Sequence, residues 1–287
     1  MSRPGAHMPR RAEALGATLP PLVVAAERVA ATVAPGVHGR RRVGPGESFW
    51  QYRPFTAGDS AGRIDWRRSA RADGRYFVRE SEWEAAETVL LWRDGGPGMR
   101  WRAAGAEDKI ARAELLLLAL AALLLRGGER VWLLGAERAV AGRAGLPRLA
   151  EELAAATGSE VPQAVLPRHA RAVLIGDFLQ PPEEVQAVLG RFAAAGVRGH
   201  LLQVLDPAEV ELPYTGRVRF EPPGRGPKVL VPRVETLRGA YRRRLTEHQA
   251  TLAALAAAAG FGWSMHRTDA APEAALLALH GALEGAR

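Results

Sequence analysis

The chain has 287 residues, 47% hydrophobic and 24% charged, which supports one large packed domain, or a domain with an appendage, and excludes a long disordered chain. It has no cysteine, which excludes a disulfide framework, a thiolate metal site and a cysteine nucleophile together. The net charge is +8, yet all but two of the 39 basic residues, Lys109 and Lys228, are arginine; with so much alanine and glycine, this reads first as what a GC-rich genome writes at neutral surface positions and only second as the footprint of a nucleic-acid binder.

Residues 1–18 read as a polar tail. No apolar segment follows Arg10-Arg11, so a signal peptide is not expected. Pro20-Pro21 opens an amphipathic helix over Leu22–Val33, closed by Pro35-Gly36. The segment Gly39–Gly62 is rich in glycine and arginine, with turn signals at Gly44-Pro45-Gly46 and Gly58-Asp59. Alternating residues predict short strands at Phe49–Arg53 and Arg75–Glu80.

From Thr88 the texture changes. Continuous apolar runs predict buried strands at Thr88–Trp92, Arg130–Leu134, Arg171–Gly176 and Gly199–Leu205, with a further strand at Phe261–Arg267. A short extended piece is expected at Val218–Phe220. Helices are predicted over Glu107–Leu125, Leu146–Ala156, Pro181 to about Gly196, Thr236–Ala259 and Pro272–Glu284. The apolar run Leu115–Leu125 is far shorter than the ~20 residues of a membrane span, so it reads as a buried helix and no membrane insertion is expected.

The alternation predicts an α/β fold, a mostly parallel central sheet with helices on both faces. The expected organisation is a tail and short helix over 1–35, an irregular β elaboration at the sheet edge over 36–84, and the α/β domain over 85–287. The elaboration has too few apolar residues to bury a core of its own.

In open α/β sheets, ligands bind beyond the carboxyl ends of the strands. Asp94, Asp177 and Asp206 fall at such ends, where carboxylates can hold a hard divalent cation. A strand-end aspartate opening a D-x-S-x-S pattern, with a later aspartate, resembles the metal-ion-dependent adhesion site of von Willebrand factor A-like domains. That resemblance implies their fold and a magnesium site at Asp94 and Asp177. The loop departs from the pattern, because Gly96 and Gly98 stand at both serine positions and residues 136–150 contain no threonine or serine. Two carboxylates completed by water make a weak, degenerate magnesium site, so no cofactor is expected. The competing structural reading is that Asp94 caps backbone N–H groups of its own glycine loop.

The most distinctive run extends from Arg53 to Arg71 and includes Gly58-Asp59, Arg63-Ile64-Asp65-Trp66 and Ser69-Ala70-Arg71. It resembles the signature of the domain-of-unknown-function 58 family, with Phe55 at a tyrosine position. Phe77-Val78-Arg79-Glu80, Leu205-Asp206-Pro207-Ala208-Glu209, Arg238-Gly239-Ala240-Tyr241 and Thr268-Asp269 match later landmarks, so the resemblance covers about residues 36–285. Physically, Arg63, Asp65, Arg67, Arg71, Arg79, Glu80, Glu82 and Glu84 offer interleaved charges, several of them suited to bidentate arginine–carboxylate pairs. Trp66 can pack over the sheet, its N–H needing a partner if buried. The segment serves as a structural charge network, as a recognition surface, or as both.

The resemblance implies a cytoplasmic, non-enzymatic protein-interaction adaptor. Its implied partners are a MoxR-type AAA+ ATPase and other von Willebrand A-like proteins, in assembly or remodelling of a further complex. One alternative is a magnesium-dependent hydrolase using Asp94 and Asp177, and another is a nucleic-acid-binding protein. No P-loop, G-x-S-x-G or H-E-x-x-H motif is present, so no catalytic residue is assigned.

Overall fold

The computed structural model describes residues 21–34, 49–56, 64–71, 75–81, 87–222 and 227–285. In chain order they form α1 (Pro21–Val33), β1 (Phe49–Pro54), α2 (Trp66–Ser69), β2 (Phe77–Ser81), β3 (Thr88–Arg93), α3 (Lys109–Arg126), β4 (Arg130–Leu133) and β5 (Val140–Ala141). There follow α4 (Leu146–Ala155), β6 (Arg171–Gly176), α5 (Pro182–Ala194), β7 (Arg198–Leu205), α6 (Pro207–Glu211), β8 (Val218–Phe220), β9 (Val229–Val231), α7 (Arg238–Ala258), β10 (Phe261–Arg267) and α8 (Pro272–Gly285).

The fold is mixed α/β, built on a six-stranded sheet in the order β10-β7-β6-β3-β4-β5. Only the short β5 pairs antiparallel within it, against β4. Its central strands are covered on both faces, which is why their sequences are continuous apolar runs; every residue of β6 is buried. Along β3 the side chains alternate: Val89 and Leu91 enter one core layer, Leu90 and Trp92 the other. The first layer is completed by α1, α3, α4 and α8, and the second by α5 and α7. α3 is apolar almost all round because it is buried almost all round, from Leu116 to Leu125. Truncating one of its buried leucines to alanine is expected to cost about 2–5 kcal/mol. No described helix is long and apolar enough to cross a membrane.

The chain enters the sheet at β3, adds β4 on one side, then returns to place β6 on the other. Strand order therefore reverses between β3 and β6. A crevice opens at the carboxyl ends of strands at such a reversal.

The chain divides into two compact units, Met1–Val37 with Thr88–Arg287, and His38–Glu87. Within the second, β1 and β2 form an antiparallel sheet of their own, with Arg53 opposite Val78 and Tyr52 opposite Arg79. Asp65 caps α2 there by accepting the Arg68 N–H at 3.0 Å, and the Ser69 hydroxyl accepts the Phe77 N–H at 2.9 Å. The expected turns at 44–46 and 58–59 lie outside the described residues.

Candidate functional site: a cleft at the strand ends

β3 delivers Asp94 to the crevice and β6 delivers Asp177. The two strand ends are joined directly, as the Asp94 N–H donates to the Ile175 carbonyl at 2.8 Å. The Asp94 side chain folds back on its own loop, where Oδ1 accepts the Gly96 N–H at 2.6 Å. Burial pushes the Asp94 carboxyl above its ordinary range, opposed by that N–H and aggravated by the negative charge of Asp177.

The glycines of the loop are required by its neighbours. A Cβ at Gly98 would stand 2.5 Å from Oδ2 of Asp177, and one at Gly96 would stand 2.9 Å from both Oδ1 of Asp94 and Cβ of Ser159. Side chains at these two positions would enter space already held by the carboxylates and by Ser159.

Asp177 is 7% exposed. Its Oδ2 accepts from Nζ of Lys109 at 3.2 Å, and its Oδ1 accepts the Leu179 N–H at 3.4 Å. The turn beyond it is pinned from below. Phe178 takes a left-handed conformation (φ 47°), Gln203 donates to the Asp177 carbonyl at 2.8 Å, and Nε2 of His248 donates to the Phe178 carbonyl at 2.6 Å.

Asp206 ends β7 and begins α6 as its N-cap. Its Oδ1 accepts the Ala208 N–H at 2.7 Å, while Oε2 of Glu209 accepts the Asp206 N–H at 2.9 Å, completing a capping box. The other Asp206 oxygen accepts the Ala103 N–H at 3.0 Å. Asp206 is therefore fully engaged as a scaffold. The free oxygen of Glu209, Oε1, turns to Lys109 at 2.6 Å. Burial raises the Glu209 carboxyl above its ordinary range, and the Lys109 ammonium opposes the rise.

A third wall comes from the segment after α4. Arg93, 4% exposed, donates through Nη2 to the carbonyls of Leu153 and Ala156 at 2.8 and 2.7 Å and pairs with Glu114. These bonds cap the carboxyl end of α4, and the Gly95 N–H then holds the Gly158 carbonyl at 2.9 Å. Thr157 and Ser159 are thereby brought beside Gly95 and Gly96. Of these two, Ser159 lines the cleft.

The resulting cleft has a volume of about 540 Å³. Pro97, Trp101, Leu179 and Ser159 line it together with the carboxylate residues Asp94, Glu160, Asp177, Glu184 and Glu209. Among the described residues, no group of three or more histidines or acids is arranged to hold a metal ion. The donor set does not fit a divalent cation, because the Lys109 ammonium already stands between Asp177 and Glu209 and Gly98 packs against the Asp177 carboxylate.

Sequence reasoning singled out neither Lys109 nor Glu209 as a site residue. The available signal was compositional: Lys109 is one of two lysines in an arginine-rich chain.

The signature residues lie in the other unit. Gly58, Asp59 and Arg63 are outside the described residues. Arg53, Arg79 and Glu80 occupy the paired strands β1 and β2. Asp65 is the α2 cap and Arg71 is exposed just beyond that helix. Trp66 is 62% exposed, meeting the ring of Tyr76 edge-on at 5.9 Å.

Two solved structures share a limited likeness. One is an aerotolerance-related membrane protein from Bacteroides fragilis NCTC 9343, with multiple mutations to serines, at 15% identity and a TM-score of 0.41, covering 70% of this chain and 100% of that one. The other is the conserved hypothetical protein BatB from Bacteroides thetaiotaomicron, at 13% identity and a TM-score of 0.39, covering 70% of this chain and 98% of that one. No curated protein matches the chain. A family model matches residues 51–251, spanning the signature run, the strand-end cleft and most of α7, and the chain belongs to that family, described as Protein of unknown function DUF58.

Proposed function

We propose that the protein is a cytoplasmic, non-enzymatic interaction adaptor, that its docking surface is the strand-end cleft, and that it works with a MoxR-type AAA+ ATPase in assembly or remodelling of a further complex. One observation carries the docking reading. Asp94, Asp177, Asp206 and Glu209 each accept from the chain's own N–H groups or from Lys109, so the acids build the shape of the cleft. What remains for a ligand is an acidic rim, Glu160 and Glu184, around Trp101, Pro97 and Leu179.

Such a surface suits a basic segment of a protein partner. Opposite charge steers encounter, and an arginine or lysine entering the cleft can lie against an aromatic face. The ATPase as partner rests on the family resemblance.

The test is binding of the full chain to the ATPase, with and without nucleotide, by biolayer interferometry. Binding that weakens in a Glu160→Lys/Glu184→Lys variant is the expected result. No interaction in either nucleotide condition overturns the proposal.

A second reading has an observation of its own. In the unit His38–Glu87, Trp66 and Tyr76 are 62% and 53% exposed, and Arg67, Arg71 and Arg75 are exposed near them in sequence. Exposed aromatics interleaved with arginine suit single-stranded nucleic acid. A mobility shift at low salt, lost in Trp66→Ala, supports that reading; no shift at low salt ends it, because phosphate contacts are strongest there.

A further inference from the structure

We propose that the ammonium of Lys109 is the resident cation of the strand-end site, built into the chain in the place of a divalent metal ion. The position is the first evidence. Lys109 is the first residue of α3, and its side chain is 0% exposed. A cation at the amino end of a helix is disfavoured by the helix dipole, so local helix energetics do not explain it. Its partners explain it. Nζ bonds Oδ2 of Asp177 beyond β6 at 3.2 Å and Oε1 of Glu209 on α6 at 2.6 Å. One positive centre thus ties two carboxylates from separate elements to the start of α3, the bridging role a hard cation plays among oxygen ligands.

The choice of residue is the second evidence. All but two of the 39 basic residues are arginine. The other lysine, Lys228, has a side chain 60% exposed and pairs at the surface with Glu221. The buried position thus takes the rarer cation. Arginine is a broad planar fork, whereas lysine ends in a compact point charge on a flexible stem, the closer mimic of an ion.

The third evidence is the loop facing Asp177. A Cβ at Gly98 would lie 2.5 Å from the carboxylate, so the backbone sits flush against it and leaves no room for a hydroxyl ligand. Glycine here and lysine at 109 are complementary: one closes the approach to the carboxylate, the other supplies its counter-charge. The site is assembled whenever the chain is folded, independent of divalent ions and insensitive to chelators. This inference concerns the same cleft as the docking reading but not its partner, so failure of ATPase binding leaves it standing, and its own failure leaves docking standing.

The test is titration of Mn²⁺ into the full-length wild type, Asp177→Asn and Lys109→Met, followed by the free-ion signal in electron paramagnetic resonance. The wild type is expected to leave Mn²⁺ free into the millimolar range. Lys109→Met, with the carboxylates released, is expected to bind it at least about tenfold more tightly, and the gain is expected to vanish in Lys109→Met/Asp177→Asn. Wild-type binding that Asp177→Asn abolishes overturns the proposal, as does a folded Lys109→Met that binds no better than wild type. If Lys109→Met does not fold, the comparison of wild type with Asp177→Asn decides alone: Asp177-dependent binding overturns the proposal, and its absence supports it.

Discussion

Nζ of Lys109 lies 2.6 Å from Oε1 of Glu209, and the lysine side chain is wholly buried. The same ammonium reaches Asp177, so the start of α3, the end of β6 and the short helix α6 share one charge. Removing one member of a buried ionic group leaves the others uncompensated. Lys109→Met is therefore expected to lose about 3–5 kcal/mol of stability, read as a lower urea midpoint. Lys109→Arg is also expected to fall below wild type, because the larger guanidinium must displace packed neighbours. A Lys109→Met midpoint equal to the wild type's contradicts this role.

Gly98→Ala tests the close approach to Asp177. The added methyl enters the space of the carboxylate, and overpacking of a filled site costs about 1–3 kcal/mol. Gly158→Ala is the control, since a Cβ there meets nothing within 4 Å. Thermal midpoints are expected to fall for Gly98→Ala and to change little for Gly158→Ala. Equal midpoints in the two variants contradict the packing described.

Asp94 gives a pH signature. Its carboxyl is raised in the folded state above the ordinary value of 3.8, chiefly by burial, so the folded protein holds that proton more tightly than the unfolded chain does. Its contribution to stability therefore falls as pH rises from 3.8 through the folded value. Asp94→Asn keeps an oxygen for the Gly96 N–H and removes the charge. The variant is expected to be more stable than wild type at neutral pH, with the difference shrinking on acidification. A neutral-pH loss in urea denaturation shows instead that the charge is needed.

His266 has the opposite sign. Burial, reinforced by the neighbouring Arg112, lowers its pKa from 6.5 to about 4. Nη1 of Arg112 sits 3.2 Å from Nε2 of the neutral ring and also holds the Ala270 carbonyl at 2.6 Å. Between those pH values the unfolded chain binds a proton that the folded one does not, so stability rises with pH from about 4 to 6.5. His266→Gln is expected to flatten that part of the stability–pH profile. An unchanged slope places the titration elsewhere.

The parts of this architecture written as long apolar periods were legible from sequence. The strands carrying Val89–Trp92 and Ala172–Ile175 are continuous apolar runs because both faces are covered, and α3 is long and apolar because it is buried nearly all round. The short strand Val218–Phe220 was anticipated, but other short elements were not legible. β5 has two residues and α6 five, too few to show a period, so Asp206 was visible as a strand end but not as the cap of α6. The aspartates of the cleft were visible as strand ends. Glu209 was visible only as a family landmark, because its role depends on a capping box that folds it back over Asp206 and toward a lysine 100 residues earlier. Ser159 was missed for a similar reason, since Arg93 and Gly95 draw its segment to the cleft by bonds to backbone carbonyls that leave no trace in residue type.

Anomalous diffraction from crystals grown with Mn²⁺ tests the lysine-for-metal claim most directly. The predicted result is clear density for Nζ of Lys109 between the carboxylates of Asp177 and Glu209 and no manganese peak in the cleft. A manganese peak bound by Asp177, with the Lys109 side chain displaced from it, contradicts the claim.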